Sequence, residues 1–343
     1  MKLSRQALLG TTALLGAGAV MIAAAGEASA IDVKVGGYGF SGAIFGDTDE
    51  AAGVTGTQGL YFRNEFEVHV KASGRDDATG MEYGAVIELQ DDNATGNTNT
   101  DEEWVFVRGG WGEIQLGDND GPADDMKITA ANIAAGTGGI DGWDEVALIG
   151  IFLDNSGDAT KIVYYSPVVG GFQLGVSYTP DSDHVAGGTF PNTAGGLGNW
   201  IEAGATFTGS FGGVDLKLGA GFSTADDQDG AIGDDYTGYG FGAQVGFAGV
   251  KVAASWAHND LDVSGDSNRW TAGAAATLGP VDLSVTYVKQ DNDGPSDPNN
   301  LVFSGSVGLF PGMALQADVA LFDRDAGGND DGMLGVARLA VSF

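Results

Sequence analysis

The 343-residue chain contains no cysteine, which removes disulfide frameworks, thiolate metal sites, iron–sulfur clusters and cysteine nucleophiles together. Basic residues are scarce as well: 15 Lys and Arg stand against 47 Asp and Glu, for a formal net charge of -32. Nucleic-acid backbones are held by clustered cations, so a chain this acidic excludes DNA and RNA as partners. Only three histidines occur, His69, His184 and His258, well separated, and there is no P-loop, G-x-S-x-G or H-E-x-x-H pattern. Gly37-Tyr38-Gly39-Phe40-Ser41-Gly42 matches a dinucleotide fingerprint by letter, but its β-like surroundings offer no helix to receive a pyrophosphate. Nothing in the chain points to an enzyme. Beyond residue 30 no apolar run reaches the ~18 residues of a transmembrane helix.

What is present is glycine, 59 residues of it, with 17 Phe, 9 Tyr and 6 Trp in a chain that is 43% hydrophobic. Disordered acidic chains are poorer in aromatics than this, so the chain folds, and its composition favours strands and turns. Met1 to Ala30 stands apart. Lys2 and Arg5 precede an apolar stretch from Ala7 to Ala25, and Ala28 and Ala30 place small residues at a cleavage motif. This is the pattern of a cleavable export signal over 1–30, leaving residues 31–343 as the mature protein.

The mature chain alternates with period two. Leu60, Phe62, Phe66, Val68, Val70 and Ala72 share one parity, while Tyr61, Arg63, Glu65, Glu67, His69 and Lys71 occupy the other. A strand sends these two sets to opposite faces. The rhythm recurs to the C-terminus, and short Gly- or Pro-containing turns alternate with long acidic connections to give about sixteen strands. One connection, Asp118 to Asp158, is far longer than the others. Lipid offers no partner to a backbone N–H or C=O, so a sheet that crosses a membrane must close on itself. An all-β, transmembrane antiparallel barrel satisfies that rule, with the apolar parity facing lipid and the polar parity a lumen. Tyr178, Trp200, Trp256, Trp270 and Tyr287 fall near strand ends, where interfacial aromatic belts sit. A soluble sandwich would need two domains, and no linker divides the chain.

The run Glu103 to Asp118 (EWVFVRGGWGEIQLGD), Lys161 to Pro167 (KIVYYSP), Gly171 to Tyr178 (GFQLGVSY) and the terminal Phe343 after Leu339 and Val341 together resemble general porins of the α-proteobacterial type. The resemblance covers the whole mature chain. It implies a water-filled homotrimer in the Gram-negative outer membrane, bedded in lipid and lipopolysaccharide and passing small hydrophilic solutes. It also implies that the third loop folds into the lumen, that Phe343 acts as an assembly signal, and that basic residues on the wall face the loop.

On this reading the constriction acids are Asp118, Asp120, Asp124, Asp125, Asp141, Asp144 and Glu145, with Asp154 and Asp158 further along the same loop. Ala123 to Ala135 is expected to be a short helix with Met126, Ala130 and Ile133 on one side, ended by Gly136. On the polar parity, Lys34, Arg63, Lys71 and Arg338 are expected to line one contiguous wall, diluted by Glu65 and Glu67; Arg108 is ambiguous because Trp104 and Phe106 share its parity. The acidic excess predicts a modest cation preference. Two similar loops, Asp118-Asn119-Asp120-Gly121-Pro122-Ala123-Asp124 and Asp291-Asn292-Asp293-Gly294-Pro295-Ser296-Asp297, begin like calcium loops. An EF-hand is excluded by Thr129 and Val302 at position twelve. A looser structural Ca²⁺ held by Asp118, Asp120 and Asp124 or by Asp291, Asp293 and Asp297 is the sole cofactor expectation. The alternative to a channel is a non-transporting structural or adhesive barrel.

Overall fold

A computed structural model of the chain describes residues 31–48, 59–91, 99–141, 149–181, 196–228, 230, 233, 235–261, 265–294, 296–325 and 331–343. The expected export signal, Asp144, Glu145 and His184 lie outside these residues. The sixteen strands are β1 (Asp32–Thr48), β2 (Leu60–Arg75), β3 (Glu82–Asp91), β4 (Asn99–Gly109), β5 (Gly112–Asp118), β6 (Thr160–Tyr165), β7 (Phe172–Asp181), β8 (Leu197–Phe211), β9 (Val214–Asp227), β10 (Tyr236–Phe247), β11 (Val250–Asp260), β12 (Ser267–Leu278), β13 (Val281–Asn292), β14 (Asn299–Phe310), β15 (Met313–Asp323) and β16 (Asp331–Ser342). Each pairs antiparallel with its neighbours in sequence, and β16 returns to β1, so the sheet has no edge. At that seam Gly37 and Phe343 exchange backbone hydrogen bonds, both 3.0 Å. Among the described residues no helix is long and apolar enough to cross a membrane. The crossing is made by strands.

Connections alternate in length as the sequence indicates. The turns after β4, β8, β10, β12 and β14 take two residues each. Ala248 and Gly249, with φ of 51° and 83°, are both left-handed, the conformation that matches strand twist in a tight hairpin. The opposite end carries the longer loops.

The two parities divide as expected. Phe62, Phe172, Phe241, Phe303, Leu315 and Leu339 are exposed on the outside, Phe62 to 78%, whereas Glu65, Glu202, Ser255, Thr271, Thr286 and Arg338 are buried on the inside. An apolar surface continuous around the molecule matches hydrocarbon, not water. Aromatic side chains gather at both ends of it. Tyr239, Trp256 and Trp270 touch near the long-loop end, with centroids 5.6 and 5.9 Å apart, and Phe172 lies 4.6 Å from Phe207 near the short turns.

Two expectations fail here. Trp200 is not in the outer belt: it shares the parity of inward-facing Glu202, is 4% exposed, and packs on Tyr236 at 5.2 Å. The inner face is not uniformly polar either. Ile44, Val288, Val302, Phe322, Leu334 and Val336 point inward and form one apolar cluster with Ala130, Ala131, Ile140 and Ile151 of the β5–β6 connection. A side chain inside a barrel avoids water when a loop covers it.

A closed ladder resists detergent, so unheated protein should migrate faster than boiled protein in SDS gels. Removing Phe343 takes away the two seam hydrogen bonds, together about 1–3 kcal/mol. The temperature at which the fast band converts should fall accordingly; an unchanged temperature would contradict this account of the seam.

Candidate functional site

The connection between β5 and β6 runs along the inner face of β7–β14. It opens with a single helical turn, α1 (Pro122–Asp125), which Pro122 starts at a position where its missing N–H costs nothing. It continues through 3₁₀ turns at Ala130–Ile133 and Gly139–Asp141. The expected helix over 123–135 is therefore broken. A covered loop must find partners for its own N–H groups, and here the wall supplies them in place of helical bonds. Ala130 N–H donates to Thr271 Oγ1 at 3.0 Å, Ala135 N–H to Ser284 Oγ at 2.8 Å, and Ile140 N–H to Thr286 Oγ1 at 3.2 Å. On the return path Asp154 N–H donates to Asn259 Oδ1 at 2.9 Å and Ser156 N–H to Glu202 Oε1 at 3.1 Å.

Space for this approach comes from inward-facing glycines. A Cβ on Gly242 would collide with the Ile128 carbonyl oxygen, and one on Gly204 would stand 2.5 Å from the Pro122 carbonyl oxygen. Cations then fasten the loop. Arg269 Nη1 donates to Asp154 Oδ1 at 2.6 Å and to the Phe152 carbonyl at 2.9 Å. Lys161, 2% exposed, donates to the carbonyls of Asn119 and Gly157, where the loop leaves and rejoins the wall. Lys127 pairs with Asp124 at 2.6 Å. Burial opposes its charge, but Asp124 and Asp141 outweigh burial and hold the ammonium above the ordinary lysine range.

The loop also reaches β15, β16 and β1 through the apolar cluster around Ile44 and through Arg338, and the charged part of the wall runs over β15, β16 and β1–β6. The expected basic residues do not form one patch. Arg63 and Arg338 both pair in register with Gly42, on either side of β1. Lys34 and Lys71 pair with each other eight residues away, about 26 Å along the strand. Arg338 is held by Gln316 Oε1 at 2.6 Å, lies 4.3 Å from the Phe40 ring centre, and donates to the Gly136 carbonyl of the loop at 3.5 Å. Arg63 meets Glu65 at 3.4 Å; Lys34 is open to solvent beside Asp32 at 3.5 Å. Arg108 faces inward, bonded to Glu82 at 2.5 Å, and with Lys71 it brackets the Phe106 ring.

The loop acids are distributed rather than aligned. Asp118 belongs to the β5–β6 ladder and accepts from Thr160. Asp125 accepts from Tyr165 at 2.6 Å, and Asp141 sits in the second 3₁₀ turn. Asp120 gathers with Glu102 and Asp158 instead of with Asp118 and Asp124. In the second loop Asp291 pairs with Lys289, and Asp297 Oδ1 accepts the Asn292 N–H at 3.0 Å. Among the described residues neither calcium-like loop brings its three aspartates together as ligands. Lys161, Arg269 and Glu202 carry no sign of this role in the sequence alone. Their parity was readable, but their partners are up to 117 residues away in the chain.

Compared with known proteins, residues 11–327 match the family model described as Gram-negative porin. Among solved structures, a double mutant of the Rh. blastica porin superposes with a TM-score of 0.66 at 16% identity. A porin structure refined at 1.8 Å gives 0.65 at 18%, and the anion-selective porin from Comamonas acidovorans 0.65 at 16%. Each alignment covers 91% of this chain and 100% of the other. These likenesses concern the fold. An uncharacterised protein of Rickettsia conorii is 29% identical over 30% of this chain and 30% of its own length, and one of Rickettsia bellii 27% over 26% and 27%. The chain thus spans less than a third of the curated relatives it matches.

Replacing Gly242 with Val should force the loop off the wall at Ile128, an overpacking worth about 1–3 kcal/mol. Amide exchange at residues 128–131 should rise at least tenfold. Gly246→Ala, whose Cβ would have its nearest neighbour at 3.6 Å, should leave exchange unchanged.

Proposed function

The chain belongs to the Gram-negative porin family, and from that premise we propose that it is a general-diffusion pore, passing small hydrophilic solutes and ions down their gradients with a modest preference for cations. A passive outer-membrane channel needs no catalytic residue; it needs a polar passage of restricted width. The observation that carries this reading is the seating of the loop on the inner wall from β7 round to β16, beside the charged face of β15, β16 and β1–β5.

The cation preference rests on that charged face. Lys34, Arg63, Lys71, Arg108 and Arg338 share it with Glu65, Glu67, Glu82, Glu88, Glu102, Glu113 and Asp318, so carboxylates outnumber cations. Charges on the outer loops weigh less, because salt screens them over ~8 Å. The name of the Comamonas acidovorans protein records anion selectivity; a shared barrel therefore leaves the sign to the lining. We further read the protein as exported through residues 1–30 and assembled as a homotrimer among lipid and lipopolysaccharide, with Phe343 as its assembly signal.

Reconstituted in a planar bilayer, the protein should give discrete ohmic current steps and, in a KCl gradient, a reversal potential of cation sign. Two unit charges ~10 Å apart in water interact by about 0.4 kcal/mol, about twofold in relative permeability. Arg63→Gln with Arg338→Gln should therefore raise the cation preference severalfold, and Asp141→Asn with Asp144→Asn and Glu145→Gln should lower it. Absence of steps would favour the structural barrel, and strong anion preference would defeat the charge argument.

A further inference from the structure

A second group of titratable side chains lies on the inner wall away from the loop seat. Glu67 and His69 are on β2 and Glu88 on β3, and His69 and Glu88 are directly opposed in register. Glu67 Oε1 is 2.5 Å from His69 Nε2, and Glu88 Oε1 is 3.7 Å from His69 Nδ1. One ligand atom from each of the three lies within 4.8 Å of the others. Tyr38 donates its hydroxyl to the other Glu67 oxygen, Oε2, at 2.5 Å. The two carboxylates are nearly covered, at 4% and 6% exposure, while about a quarter of the His69 side chain is open. Opposite His69 on β1 stands Gly36, which places no side chain over the ring.

Carboxylates crowd around this group. Glu88 is opposed in register on its far side by Glu102, itself buried. Like charges directly across a sheet repel, and crowding carboxylates on a buried wall is costly. The neighbouring cations are engaged nearby: Arg63 with Glu65, Lys71 over Phe106, and Arg108 with Glu82. One imidazolium cannot neutralise several carboxylates. A dication can.

We propose that Glu67, His69 and Glu88 bind a divalent transition-metal ion of the zinc class, with a water molecule on the side open to the lumen. Bonds of ~2.0–2.2 Å to nitrogen and oxygen place ligand atoms about 3–4.4 Å apart. Binding would therefore part Glu67 from His69 and draw Glu88 in by small side-chain rotations from the present spread of up to 4.8 Å. The imidazole selects zinc-like ions over calcium, which favours all-oxygen sets. Tyr38 fixes the non-ligating oxygen of Glu67, the usual task of an outer partner. Bound metal adds two positive charges to a wall that is otherwise net negative.

The test is calorimetric titration of the chelator-treated, detergent-solubilised full protein with ZnCl₂ and, separately, CaCl₂. One Zn²⁺ should bind this site per chain, at least tenfold more tightly than Ca²⁺. His69→Gln and Glu88→Gln should each weaken Zn²⁺ binding tenfold or more, while His258→Gln, on the outer face, should retain it. Heat-modifiable gel migration reports whether each variant is folded. Zinc binding that persists in folded His69→Gln, or calcium binding of equal strength, would overturn the site. Binding in detergent requires no open channel, so this result and the conductance measurements stand or fall separately.

Discussion

Wherever this backbone is shut off from water its hydrogen bonds must be found inside the protein, and two different parts of the structure answer to that one demand. In the wall, lipid supplies no donor or acceptor, so sixteen strands close through β1 and β16 and the chain ends are stitched at Gly37 and Phe343. In the lumen, the long loop is pressed against a wall that excludes water from one of its sides. Thr271, Ser284, Thr286, Asn259 and Glu202 accept the N–H groups that a helix would otherwise have satisfied. The polar parity of β8 and β11–β13 is thus a hydrogen-bonding surface for the loop before it is anything else.

That arrangement explains where the glycine goes. A loop whose backbone touches a sheet needs the sheet's side chains removed beneath it, and β8 and β10 provide Gly204 and Gly242 at the points of contact. The cost in strand propensity is of order 1 kcal/mol or less per glycine. Buried cations offset it: Arg269 grips the returning strand of the loop, and Lys161 closes its neck. The Ile44–Val336 cluster completes the seat with apolar contacts.

The strands, their number and their inward and outward faces were legible in the sequence because a period of two survives any change of partner. Registry was not. Lys34, Arg63, Lys71 and Arg338 share the correct face, yet alternation carries no information on height along the barrel, and they separate into two pairs about 26 Å apart. The Ala-rich stretch after Pro122 reads as helix by propensity. Helix propensity is worth a few tenths of a kcal/mol per residue, less than a net hydrogen bond to a wall hydroxyl, so tertiary contacts broke it. Trp200 was misplaced by proximity to a strand end, although its parity with Glu202 already pointed inward. Arg269 escaped notice because its role appears only when a distant loop arrives.

The same distinction governs the charge. A net charge of -32 describes the whole chain, but a solute inside the barrel responds to charges within a Debye length, ~8 Å. Of the described loop acids, Asp124 is paired with Lys127 and Asp154 with Arg269, so these two fields are partly cancelled at their source. Because Arg338 bonds to the Gly136 carbonyl while Arg63 stands across β1, a basic pair sits against the loop's far reach, with Glu65 beside it and Glu67, Glu88 and Glu102 displaced toward β2–β4. Positive and negative charges thus lie side by side around the wall rather than in a ring of one sign. In such a field the local arrangement of a few side chains outweighs the total charge of the molecule.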